Sequence, residues 1–219
     1  MHALPRSLVR GSPLILVLVA STIWLAATAA GEPPALPSPD RSGGKPLMQA
    51  LQERRSIRDF RPDPLGAGQL SDLLWAAFGI NRPENDHRTA PSAKNAQEID
   101  VYLALAEGLF LYEAKPHRLV CVSSEDVRRL TSGQDFAQVA PVALILVADL
   151  GRLKDTAEAD ARVYAAFDAG CISQNVYLYC ASAGLGTVVH DLDRGPLAAK
   201  LNLRDGQHII LAQAVGAPN

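Results

Sequence analysis

The chain has 219 residues, a formal net charge of −2 and 48% hydrophobic residues, with three cysteines. The length suits one domain with a sizeable core. The charge balance excludes a basic surface for nucleic acid, and so few cysteines exclude a disulfide scaffold.

Residues 1–29 read as a signal peptide. Arg6 and Arg10 form a short positive region, and Leu14 to Leu25 is almost wholly apolar. Ala27-Thr28-Ala29 then supplies a small-x-small cleavage pattern. The apolar run is shorter than the ~20 residues of a membrane span. No cysteine follows it to carry a lipid and no twin arginine precedes it, so a Sec-type route to the periplasm or medium is expected, with no stable membrane span after cleavage. Residues 30–45, rich in Pro, Gly and Ser, read as a flexible leader. The folded domain is expected over residues 46–219.

Pro46 to Arg54 is a short helix with proline near its start. Arg61 to Gly68, with two prolines and two glycines, is loop. Leu70, Leu73, Leu74, Ala77 and Phe78 mark an amphipathic helix ended by Gly79. Asn81 to Thr89 is polar and irregular, and Ser92 starts a short helical turn. Ile99, Val101, Leu103 and Leu105 alternate as a strand. Glu107-Gly108 turns it into a second strand over Leu109 to Ala114, and Arg118 to Ser123 is a third. Glu125 to Leu130 reads as helix. Pro141 to Ala148 is a continuous apolar run, as in a central strand.

Ala161 to Ala183 is a long helix with Arg162 and Asp168 as its only charges and small or apolar residues on every face. Such a helix is buried all round, which one domain of this size cannot achieve alone, so it is expected at a homodimer interface. Cys171 and Cys180 lie ~13 Å apart along it, too far to bond to one another. Gly184-Leu185-Gly186 ends it. Thr187 to His190 is a strand, Pro196 to Leu201 a helix and His208 to Val215 the last strand. Hairpin connections outnumber βαβ units, so the class is α+β.

Two segments carry chemistry. In Arg54-Arg55-Ser56-Ile57-Arg58-Asp59-Phe60 an extended chain points Arg54, Ser56 and Arg58 the same way, ~6.6 Å apart in steps of two. Two guanidiniums and a hydroxyl then face one point, which suits a phosphate; the alternative is a solvated face neutralised with Asp59. In Pro91-Ser92-Ala93-Lys94-Asn95-Ala96-Gln97, Ser92 can cap the turn, and the Asn95 and Gln97 amides can meet the edge of a flavin ring. The alternative is an ordinary capped loop. Gly184 and Gly186 are either a helix cap or a surface a flat ring can approach closely. Gln174 and Asn175 are either satisfied amides or neighbours of a cofactor. The histidines show no metal spacing, so no metal is expected.

Together these residues resemble the nitroreductase family of flavoenzymes. RRSIRDF is similar to its opening phosphate motif, PSAKNAQ to its ring-binding loop, DAGCISQNVYLYCASAGLG to its dimer helix and glycine turn, and AQAVGAP to its final strand. LSDLLWAAFGI with RTAPSA most resembles the thiazole/oxazole-forming dehydrogenase branch. The resemblance implies a three-layer α+β sandwich, with a mostly antiparallel central sheet flanked by helices. It implies an intertwined homodimer with FMN at the interface, and ping-pong transfer through flavin N5 between a small-molecule donor and acceptor. Arg54, Arg55, Ser56 and Arg58 would hold phosphate and ribityl. Pro91, Ser92, Ala93, Asn95 and Gln97 would line the ring, and Leu185 and Gly186 its far edge. No acid or base is assigned. Many members carry a basic pair after the final Gly-x-Pro, where this sequence has Asn219, so the rest of the phosphate grip is expected elsewhere. A flavin-binding protein without turnover is the alternative.

Overall fold

The computed structural model describes residues 33–219, so the expected signal peptide lies outside the described residues. Helix α1 spans Leu47–Glu53 and α2 Ala67–Phe78. A small antiparallel ladder follows, β1 (Ile80–Arg82) with β2 (His87–Arg88), inside the stretch expected to be irregular. Its polar composition hid the pairing, which Arg82 reinforces by donating across to Arg88 O at 3.1 Å, while Arg88 ties the ladder to α2 by donating to Phe78 O at 3.0 Å. Strands β3 (Ile99–Leu105), β4 (Gly108–Glu113) and β5 (Arg118–Ser123) form the expected meander.

The helix expected over Glu125 to Leu130 reduces to a 3-10 turn at Arg128–Leu130. The Asp126 carboxylate accepts from the Arg128 N–H at 3.0 Å and from its guanidinium at 2.7 Å. That local side-chain bond competes with helix formation. The helix lies later, as α3 (Asp135–Val139), too short to show a period in the sequence.

Strand β6 (Val142–Asp149) is the central strand, flanked by β3 and by β8. Helix α4 spans Glu158–Ala183, β7 Gly186–His190, α5 Arg194–Leu201 and β8 Gln207–Gly216. The six-stranded sheet has the order β5-β4-β3-β6-β8-β7, and every neighbouring pair is antiparallel. Leu144, Leu146 and Ala148 of β6 pack with α2 and α4, whereas Ala143, Ile145 and Val147 pack with Leu197 and Leu201 of α5. A strand covered on both faces has to be apolar at every position, as this one is. The three layers are those the sequence implied.

Helix α4 differs from expectation at its start. It begins at Glu158, so Glu158 and Asp160 add charge to its first turn, where a helix N-terminus favours it. One face is buried in this protomer, through Ala161, Ala165, Ala169, Ile172, Val176 and Cys180. The opposite face is exposed, with Phe167 68% and Val163 49% accessible beside Gly170 and Gln174. Met48 and Leu47 of α1 are also exposed.

The described part of the leader is tied down. Asp40 N–H donates to Asp72 at 2.7 Å, Lys45 N–H to Ser182 Oγ at 2.7 Å, and Leu36 packs on the core. A chain of hydrogen bonds anchors Pro37: Ser71 O–H donates to Pro37 O (2.6 Å), so His117 Nε2–H donates to Ser71 Oγ (2.7 Å), and His117 Nδ1 meets the Tyr112 hydroxyl at 2.8 Å. With the neutral imidazole, Nδ1 accepts from Tyr112. Burial, with Arg41 nearby, holds His117 below its ordinary 6.5. Its contribution to stability is therefore complete above pH 6.5 and is lost as pH falls through the lowered folded value. Urea unfolding at about pH 7.5 and about pH 5.5 should show a larger acid loss for the unaltered protein than for His117→Gln. Ser71→Ala should cost about 1–3 kcal/mol at neutral pH, because it strands a buried donor and acceptor.

Candidate functional site

The arginine segment is extended, as expected, because it joins the sheet. Arg54 leaves α1 at φ −56°, ψ 122°. Ile57 N–H donates to Thr187 O at 3.0 Å, Arg61 N–H to Ala217 O at 2.9 Å, and Phe60 bridges Pro218. Ile57 and Phe60 turn inward, while Arg55, Ser56 and Arg58 are exposed. Arg54 lies over the Tyr177 ring at 5.3 Å, and Ser56 Oγ is 3.1 Å from the Tyr177 hydroxyl. That hydroxyl is fixed by the Val189 N–H at 3.0 Å. Arg58 sits 6.0 Å from the Phe136 ring.

Among the described residues, Arg54, Arg55 and Arg58 have no carboxylate partner. Asp59, the expected neutraliser, instead accepts from Asn219 Nδ2 at 2.6 Å. Three nearby guanidiniums on one sheet-bound segment, without a salt-bridge partner among the described residues, are of the residue type that can meet an anion.

The second segment is a strained loop. Within and just after a 3-10 turn at Ala93–Asn95, the residues Lys94, Asn95 and Gln97 have φ of 55°, 52° and 48°. Non-glycine residues seldom occupy this region, and three within four positions need external support. Lys94 Nζ donates to Thr156 Oγ1 at 2.7 Å. The Gln97 amide accepts from Arg88 Nε at 2.9 Å and donates to Asp86 O at 3.0 Å. In this protomer the Gln97 amide thus holds the Asp86–Arg88 stretch. Ser92 precedes the turn but does not cap it with its side chain. Its Oγ accepts from the Gln97 N–H at 2.7 Å and donates to Glu98 Oε2 at 3.0 Å. Pro91 and Asn95 are exposed and Ala93 is half-buried, so these three remain able to face a ligand.

The glycine turn is also read differently. Gly184 is a left-handed cap at φ 71°, as a helix C-terminus favours. Leu185, however, is buried in the main core. A Cβ on Gly186 would lie 2.9 Å from Ile57 Cγ2 and 3.2 Å from the Phe60 ring. Neither residue offers an open edge to a ring in this protomer. Gly186 is glycine so that the arginine segment can pack against β7.

One protomer does not bring clamp and loop together. Ala93 N–H donates to Asp168 Oδ2 at 2.7 Å, whereas Arg54 and Ser56 rest on Tyr177. Those anchors are nine residues apart on α4, which is ~13.5 Å of rise and half a turn around the axis. A crevice of about 430 Å³ lies between α1, α2, Asn81 and α4, and the buried Thr89 Oγ1 in its lining has no hydrogen-bond partner. Asn175 donates to Ala77 O at 3.4 Å, tying α4 to α2, and Gln174 is exposed.

Sequence reasoning missed Tyr177, Phe136 and Glu98. Asp168 was visible only as a lone charge in an apolar helix. Among the described residues no cluster of three metal-ligating side chains occurs. Gly186→Ala should destabilise the fold by about 1–3 kcal/mol through overpacking. Ile57→Ala, which removes the Cγ2 methyl, should therefore cost less in the Gly186→Ala chain than in the unaltered protein by thermal unfolding, and equal costs in the two would mean that Ile57 is not the group displaced.

The model of the nitroreductase family matches residues 51–217. A protein of Methanocaldococcus jannaschii named as a nitroreductase is 32% identical over 152 residues, 65% of this chain and 76% of that one. The crystal structure of a Ralstonia eutropha protein, also named as a nitroreductase, superposes with a TM-score of 0.82 at 42% identity, covering 87% of this chain and 91% of that one. The Escherichia coli microcin synthetase McbBCD complex gives 0.66 at 18% identity over 98% of this chain and 85% of that one, a likeness of fold alone.

Proposed function

The chain belongs to the nitroreductase family of oxidoreductases, and from that premise we propose that it is an exported, homodimeric FMN enzyme moving electrons between two small molecules. The observation that carries this reading is the set of uncompensated guanidiniums of Arg54, Arg55 and Arg58 on one sheet-bound segment beside the Ser56 hydroxyl. These groups fit the phosphate and ribityl of FMN. Bound FMN would supply two-electron chemistry, taking electrons from one partner molecule and yielding them to another in alternation. Pro91, Ala93 and Asn95 would then border the ring, and the half-polar crevice near Asn81 and Thr89 would admit substrate.

The exposed stripe of α4 supports a twofold dimer. Antiparallel stripes meeting near Gly170 would carry each clamp, at Tyr177, toward the N-terminal half of the partner's α4, where the loop is anchored. The site would thus be assembled from two chains, and burying Phe167, Val163 and Met48 would drive the association. The LSDLLWAAFGI and RTAPSA segments support a place beside the thiazole/oxazole-forming dehydrogenases. Export rests on the Arg6 to Ala29 pattern, and outside the cytoplasm a nicotinamide donor is scarce. An organic substrate, quinol or thiol is therefore the proposed reductant. No helix of the described residues is long and apolar enough to cross a membrane.

Arg54→Ala and Arg58→Ala should each weaken FMN binding about 10–100-fold in a fluorescence titration, the worth of a charged hydrogen bond. Unchanged affinity in both would remove the clamp. Phe167→Glu should yield a monomer by sedimentation that no longer retains FMN. In stopped-flow experiments, fast reduction of the bound flavin by NADH with tight NADH binding would refute the donor assignment.

A further inference from the structure

Directly behind the Ser92–Gln97 loop lie two buried carboxyl groups. Glu98 is wholly inaccessible and Asp168 is 6% accessible. Each holds one end of the loop: Ser92 Oγ donates to Glu98 Oε2 at 3.0 Å, and Ala93 N–H donates to Asp168 Oδ2 at 2.7 Å. The remaining Glu98 oxygen, Oε1, has no donor among the described residues, and the Glu98 side chain is within hydrogen-bond reach of Asp168.

Two carboxylates in contact and out of water repel strongly unless one carries a proton. A proton on Glu98 Oε1, donated to Asp168, removes that repulsion and satisfies the orphan oxygen. Glu98 Oε2 then remains a carbonyl-type acceptor for Ser92, and Ser92 remains an acceptor for the Gln97 N–H.

The surrounding charges do not supply the neutralisation. Arg152 donates to Gln97 O and pairs with Asp100, with Asp149 also within reach. Arg88 is bound to Gln97 Oε1, and Lys94 turns to residues 154–156. On α4, Tyr164 and Cys171 stand one turn either side of Asp168, and neither side chain is a cation. Arg162 is paired with Glu158, and His208 of β8 approaches Arg162, not the carboxyl pair.

We propose that Glu98 and Asp168 share one proton, and that this proton fixes the position of the Ser92–Gln97 loop toward the cofactor. The pair acts by positioning; neither carboxyl reaches the outer face of the loop. The effect on cofactor binding rests on the FMN reading above, but the shared proton does not. Burial, reinforced by the neighbouring Asp168, moves Glu98 from 4.5 up to about 7. A raised folded value means that the pair's stabilisation is complete below pH 4.5 and is lost as pH rises through about 7. Above that point the bridging proton is gone, and the repulsion draws the Glu98 carboxylate away from Ser92 and loosens that end of the loop.

The test uses the full chain and Glu98→Gln, whose amide can donate to Asp168 and accept from Ser92 at any pH. Infrared difference spectra should show a deuterium-sensitive protonated-carboxyl band at about pH 6 that fades above about pH 7 and is missing in Glu98→Gln. Thermal unfolding without added flavin should show a loss of stability between pH 4.5 and about 7 that the variant lacks. FMN affinity should weaken toward about tenfold per pH unit above the transition and stay flatter in the variant, the ligand phosphate's own titration being common to both. Should Glu98→Gln not fold, the wild-type band and its perturbation in Asp168→Asn decide the matter. Absence of the band, or an unchanged stability step in a folded variant, overturns the shared proton. Failure to bind FMN at any pH with the band present overturns the cofactor reading alone.

Discussion

Helix α4 decides where everything else sits. Its buried face, from Ala161 to Cys180, is spaced for one side of the sheet, and the two supports of the site project from it half a turn and ~13.5 Å apart. Asp168 holds the loop and Tyr177 the clamp. A helix cannot bend so that those faces meet. In the proposed dimer, two such helices would bring the segments together across the exposed side of α4.

Preorganisation sets the character of both segments. The clamp is laid along the sheet edge by backbone bonds at Ile57 and Arg61, so its cations are placed before any ligand arrives. Close packing makes this possible, since Gly186 leaves room for Ile57 and Phe60. In the loop, three left-handed residues are offset by the Gln97 bonds to Arg88 and Asp86 and by the grip of Lys94 on residues 154–156. Strain of this kind persists only where the surroundings over-determine it, and Glu98 and Asp168 complete that support from behind.

Much of the fold was legible. The β3–β5 meander, the apolar β6, both principal helices and the closing strand follow from alternation and helical spacing, because burial on one face or two writes itself into consecutive residues. The misses have local causes. At Arg128, the Asp126 side chain outcompeted the helix. At β1–β2, polar residues pair with Arg82 donating across to Arg88 O, while Gln97, outside the ladder, holds Arg88 and Asp86. The leader, rich in Pro and Ser, is held by Ser71, Asp72 and Ser182, which lie far away in sequence.

For the site, the order of residues determined the family, the α+β class and the residue types able to hold an anion. The extended backbone of the arginine segment was legible, whereas its partners, Tyr177 for Arg54 and Ser56 and Phe136 for Arg58, were not. The tertiary structure alone decided which polar groups were free. It committed Gln97 to Arg88, drew Asp59 to Asn219, buried Leu185, and set Glu98 against Asp168. Hydrogen bonds and charge pairs depend on distances of a few ångströms between residues remote in the chain, and such distances exist only once the chain has folded.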